Sequence, residues 1–125
     1  MNKYRNRKIT RDGETFDSVK EYRRWCELRL LERAGKIANL KRQVKYVLIP
    51  AQYEVVGYTK AGKPQEKCVE RECAYIADFS YDEELFGNGD FVVPVVEDTK
   101  GVKTKDYIIK RKLMLWVHGI KIREV

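Results

Sequence analysis

Asp98 and Lys100 stand two residues apart at the end of an apolar run, in Val95-Val96-Glu97-Asp98-Thr99-Lys100-Gly101. On an extended chain side chains alternate, so these two share one face while Glu97 and Thr99 point to the other. A carboxylate can hold a hard cation, and a neighbouring ammonium can orient a water or steady a phosphate. The pattern alone arises by chance in many proteins. Its place at the end of an apolar strand, just before a helix, gives it weight. Val92, Val93, Val95 and Val96 suit a strand buried on both faces, where arriving charges need a reason.

Two further acids belong with them. Asp78 follows Tyr75-Ile76-Ala77 and precedes Phe79, a setting in which an unpaired carboxylate is costly. If its strand neighbours the strand of Asp98, then Asp78, Asp98 and Lys100 converge at one sheet end. Two carboxylates that close repel unless a cation or the lysine lies between them. The alternative is an ordinary exposed ion pair, contributing about 0–1 kcal/mol. Glu21 precedes Trp25 and Leu28 by four and seven residues, so it borders an inward helical face and could complete a metal site with Asp78 and Asp98 at the sheet end. It also fits a capping box in Ser18-Val19-Lys20-Glu21, bonding back to the N-cap amide. Both readings of Glu21 stand at this point.

The elements that must position these residues are legible in outline. Ser18 and Gly35 bracket a helix over about 18–34, with Val19, Tyr22, Trp25, Cys26, Leu28, Leu30 and Leu31 on its apolar side. Val44–Ile49 reads as a strand closed by Pro50. Residues 52–58 and 66–80 read as two strands joined through Lys60-Ala61-Gly62-Lys63-Pro64. Phe86-Gly87-Asn88-Gly89-Asp90 is a turn into a central strand over 91–98. Thr104 caps a helix over about 105–117, Gly119 stops it, and Ile120–Val125 alternates as a closing strand. The order predicts an α/β (α+β) domain with a mixed central sheet flanked by two helices.

Composition bounds the partners. The chain has 125 residues, enough for one core, and a net charge of +7. Lys3, Arg5, Arg7, Lys8 and Arg11 carry five of those charges before any acid appears. Residues 1–13 therefore read as a basic flexible arm for phosphate backbone, and 14–125 as the folded domain; a solvated tail is the plain alternative. Lys103 and Lys105, with Lys110, Arg111 and Lys112, extend the basic set past the acid–lysine motif. Cys26, Cys68 and Cys73 lack disulfide or zinc spacing and read as reduced packing residues, and the single His118 reads as structural. A metal here should be oxygen-ligated, Mg²⁺ or Mn²⁺. No run approaches the ~20 apolar residues of a membrane span, and no secretory segment is seen, so the expected location is the cytoplasm of a bacterial host cell.

With those residues in place, the chain resembles the PD-(D/E)xK nuclease superfamily. More narrowly it is similar to a small phage- and prophage-encoded branch classed as a domain of unknown function. The matching segments are Phe16–Glu21, Leu40–Gln43, Tyr75–Phe79, Val95–Gly101 and Gly119–Ile122, in order along the chain. The resemblance implies a restriction-endonuclease-like αβββαβ core. It implies Asp78 and Asp98 as metal-binding acids, Lys100 as the lysine, Glu21 as the first-helix acid, and Gln43 as a supporting residue. Ala77 stands where the superfamily's name has proline. The activity implied is Mg²⁺- or Mn²⁺-dependent hydrolysis of DNA phosphodiesters, on branched DNA or recombination intermediates in phage DNA metabolism, by a junction-resolvase-like homodimer. The rivals are a non-catalytic nucleic-acid-binding protein and a replication or packaging accessory with the same fold.

Overall fold

The computed structural model describes residues 8–87, 89 and 91–125. Helix α1 (Val19–Arg33) begins where Ser18, in an extended conformation, accepts the Glu21 amide at 3.1 Å. It ends in a Schellman turn: Gly35, at φ +74°, lets the Lys36 amide bond back to Leu31 at 2.9 Å. Helix α2 (Lys105–His118) is built the same way, capped by Thr104 and stopped by Gly119 at φ +68°. His118 closes it with Nε2 2.7 Å from the Val47 carbonyl oxygen, a structural contact.

Between the helices lies a four-stranded sheet in the order β3 (Ile37–Ile49), β6 (Cys73–Leu85), β7 (Phe91–Asp98), β8 (Arg123–Glu124). The first three run antiparallel, and β8 lies parallel to β7, as a strand returning through a crossover helix must. Taken with α1 and α2, these strands give the αβββαβ order and the α+β class. Two hairpins are added, β1 (Ile9–Arg11) with β2 (Glu14–Phe16) and β4 (Gln52–Tyr58) with β5 (Pro64–Glu70). Among the described residues no helix is long and apolar enough to cross a membrane.

Several expected bounds move. Residues 66–80 are not one strand: the chain leaves the β4–β5 hairpin after Glu70 and starts β6 at Cys73. Strand β3 starts at Ile37, not Val44, because its first half pairs with β6 from Ile37–Glu83 onward. The closing strand shrinks to Arg123–Glu124. Ile9–Arg11, expected within the arm, pair with Glu14–Phe16; residues 1–7 lie outside the described residues, as do Asn88 and Asp90 of the turn before β7. Cys68, expected to be a packing residue, is exposed on β5, with its thiol donating to the Glu70 carbonyl at 3.3 Å.

The half of the sheet next to the end of β7 is buried on both faces, whereas Val92 and Val93, expected to be buried, are exposed at its start. Val96 packs with Tyr107 and Met114 of α2, and its neighbour Val95 packs with Leu28 of α1. Alternation then breaks in the middle strands. Tyr75 and Ala77 of β6 lie under α2, yet Phe79 and Tyr81, of the same parity, lie under α1. Strand β3 does likewise, with Tyr46 and Leu48 on one side and Leu40 on the other. The turnover falls at Gln43, a non-glycine residue at φ +52°, which the Arg42–Phe79 and Val44–Ala77 pairs set opposite Asp78. A left-handed side-chain residue costs about 1–2 kcal/mol, which the pairing on either side must offset.

Candidate active site

The face change at Asp78, the end of β7 and the first turns of both helices meet in one cleft of about 240 Å³. Its lining includes Asp17, Glu21, Asp78, Asp98, Thr99, Lys100 and Thr104. Because β6 and β7 are antiparallel neighbours, the register places Asp78 beside Asp98, one step past the Phe79–Glu97 pair. The sequence-predicted acids and lysine are thus brought together. A larger depression of about 530 Å³ elsewhere holds none of them.

Each acid is held by one side. Asp78 Oδ2 accepts the Thr99 amide at 2.9 Å and the Thr99 hydroxyl at 2.7 Å. Asp98 is fully buried; its Oδ2 accepts the Tyr75 hydroxyl, while its Oδ1 has no hydrogen-bond partner. Lys100 Nζ stands 3.7 Å from that free oxygen and 5.5 Å from the centre of the Tyr107 ring, with the lysine side chain 38% exposed. Burial, then the charge of Asp78, pushes the Asp98 carboxyl up from its ordinary 3.8 to about 7.

Glu21 divides its two oxygens between different neighbours. Oε2 accepts the Asp17 amide at 2.9 Å, one residue before the N-cap and not the N-cap amide itself. Oε1 accepts Gln43 Nε2 at 2.9 Å, with Arg42 Nη2 at 3.4 Å. Burial, then the charge of Asp78, raises its pKa. Gln43, exposed and midway along β3, therefore cross-links β3 to α1 at the left-handed residue opposite Asp78.

Glu97, the competing acid of the motif, belongs to the other face. It is fully buried, takes a forked bond from Arg24 Nε and Nη2, the latter at 2.9 Å, and accepts the Tyr81 hydroxyl. It is a structural ion pair that fastens α1 to the sheet. Thr99 does not follow the expected alternation away from the site, because β7 ends at Asp98 and the chain turns. Tyr75 and Thr99 contact the site acids without being among the sequence-predicted residues. The Tyr75 contact crosses the sheet, which leaves no local signal, whereas Thr99 sits inside the motif and could have been suspected.

The donor set suits a hard cation. Among the described residues no three acid, histidine or cysteine side chains form a ready chelating cluster. Mg²⁺ does not require one: it keeps several waters and takes one or two carboxylates. Asp98 Oδ1, buried and unpartnered beside a second carboxylate, is what such an ion would satisfy. Glu21, with both oxygens engaged, is the least free of the three acids.

The sequence matches, over residues 1–122, the family described as "Protein of unknown function (DUF1064)". The chain belongs to that family. No curated protein and no solved structure matches it.

The basic residues expected to meet DNA are scattered differently from the acids. Lys3, Arg5 and Arg7 lie outside the described residues. Lys8 is exposed, and Arg11, on β1, donates to the Thr10 carbonyl at 3.0 Å and lies over the Tyr22 ring. Lys103 pairs with Glu124 at 3.6 Å, and Lys105 is exposed at the start of α2, next to the cleft-lining Thr104.

Proposed function

We propose that this chain is a divalent-metal-dependent DNA endonuclease of the PD-(D/E)xK kind, hydrolysing phosphodiester bonds. The observation that carries the reading is the meeting of Glu21, Asp78, Asp98 and Lys100 on one cleft, with a buried carboxylate oxygen left unpartnered there. Asp78 and Asp98 would hold Mg²⁺ or Mn²⁺, with Glu21 acting through a bound water. When bound, the ion supplies polarisation of the scissile phosphate and a more acidic water. Thr99 and Tyr75 hold Oδ2 of Asp78 and of Asp98 respectively, which fixes both carboxylates beside the cleft. Lys100, partly solvated and aimed at the same point, positions the attacking water or offsets charge developing on the phosphorane. The acids alone would repel DNA, and Lys100 and Lys105 supply the opposing field.

Branched DNA is the substrate we favour, cut by two copies acting on opposite strands, because symmetric incision needs two sites. The test is cleavage of matched linear, nicked and four-way-junction DNA with Mg²⁺, Mn²⁺ or EDTA, using wild type, Asp98→Asn and Lys100→Ala. Metal-dependent cutting lost in both variants supports the reading. DNA binding without cutting by all three proteins overturns it and leaves a nucleic-acid-binding protein.

A further inference from the structure

Helix α2 leads away from the cleft with an unusual outer face. Lys105, Ile109, Lys112 and Trp116 follow at intervals of four, three and four, which places them in one stripe, and all four are exposed. Trp116 is 86% exposed and Ile109 56%, so the largest apolar surface on the helix faces solvent. The stripe runs ~16 Å from the mouth of the cleft at 1.5 Å per residue. Among the described residues neither Lys105 nor Lys112 has an ion-pair partner, whereas Lys103 and Arg111 are both engaged by Glu124. The one acid of α2, Asp106, borders a recess of about 380 Å³ adjoining the cleft, together with Gln43, Lys100 and Lys110.

We propose that this stripe binds single-stranded DNA leaving the cleft, with Lys105 and Lys112 on phosphates and Trp116 as a platform on which a base stacks. Lysines interleaved with an aromatic face suit that ligand, because phosphate needs cations and every base has a stackable face. A second copy of the chain suits it less: a two-fold contact through this face would gather four lysines with no carboxylate on the stripe to pair them. The inference rests on the nuclease reading only for the origin of the strand.

The experiment is a fluorescence titration of the full chain with oligothymidylate in EDTA, so that cleavage plays no part. Trp25, the other tryptophan, is half-buried and stacks on Phe79 at 6.1 Å, and it is kept in Trp116→Phe, so a quenching signal lost in that variant belongs to Trp116. Binding should quench wild type and weaken about tenfold in Trp116→Ala. The slope of log K against log salt should flatten by about 0.7 for each of Lys105→Ala and Lys112→Ala. Absent quenching, or quenching kept in Trp116→Phe, overturns the proposal. So does a DNA-free dimer that Trp116→Ala dissociates, which would assign the stripe to a second copy. Quenching without any Mg²⁺-dependent cutting would leave the stripe standing and remove the nuclease reading; cutting without quenching would do the reverse.

Discussion

Replacing Asp98 by asparagine should stabilise the metal-free protein at high pH while abolishing activity. The Asp98 carboxyl is fully buried beside Asp78, and its pKa rises from 3.8 to about 7. The native state therefore holds this proton more tightly than the unfolded chain does. The stability it contributes is fully present below pH ~4 and is lost as pH rises through about 7. A rise of about 3 units corresponds to a cost of about 4 kcal/mol at pH 8 as an upper bound. Asparagine has no charge to desolvate; its oxygen can still accept the Tyr75 hydroxyl, and its amide replaces the unpartnered Oδ1. Allowing half of that cost for relaxation, the variant should gain about 2–4 kcal/mol at pH 8. For a domain of this size that is a rise in Tm of ~6–15 °C. At pH 4.5, where wild-type Asp98 is largely protonated, the gap should fall to about 1 kcal/mol. Thermal and urea denaturation in EDTA at the two pH values measures it. A variant no more stable than wild type at pH 8, or a gap of equal size at both, would refute the reasoning.

Mg²⁺ should raise the Tm of wild type at pH 8 and leave Asp98→Asn unmoved, since an ion that binds only the native state stabilises it by mass action; calorimetry with both proteins reads this directly. Arg24→Ala strands Glu97, a buried carboxylate with a forked partner, and should cost about 3–5 kcal/mol in urea unfolding. Lys100→Ala, by contrast, should leave stability within ~0.5 kcal/mol and lower the cleavage rate by about 10²–10³ under single-turnover conditions. Gln43→Ala removes one of the bonds to Glu21 Oε1 and should cost about 1 kcal/mol of stability, with reduced cleavage. Cleavage by this variant at the wild-type rate would deny Gln43 a part in the site.

Much of this chain was readable locally. Ser18, Gly35, Thr104 and Gly119 bound the two helices because caps and left-handed stops are satisfied within one turn of chain. The acid–lysine motif at the end of β7 was legible for the same reason: a strand's end and its alternation are short-range facts. Alternation also separated Asp98 from Glu97, and the structure gives each its own face. What sequence missed depends on strand pairing. The start of β3 at Ile37 and the break at Arg71-Glu72 follow from which partner each segment finds, and no local signal names a partner. The change of face at Gln43 and Asp78 is invisible to a period-two pattern, because it is set by one backbone angle opposite one acid. Glu21 could not be assigned from spacing, since its two oxygens serve different neighbours, one at Asp17 and one across on β3. The sequence by itself determined which residues could do chemistry and where the helices begin and end. Only the tertiary structure decided that three acids and a lysine share one cleft and that Trp116 faces water, because burial and convergence arise from contacts between segments far apart in the chain.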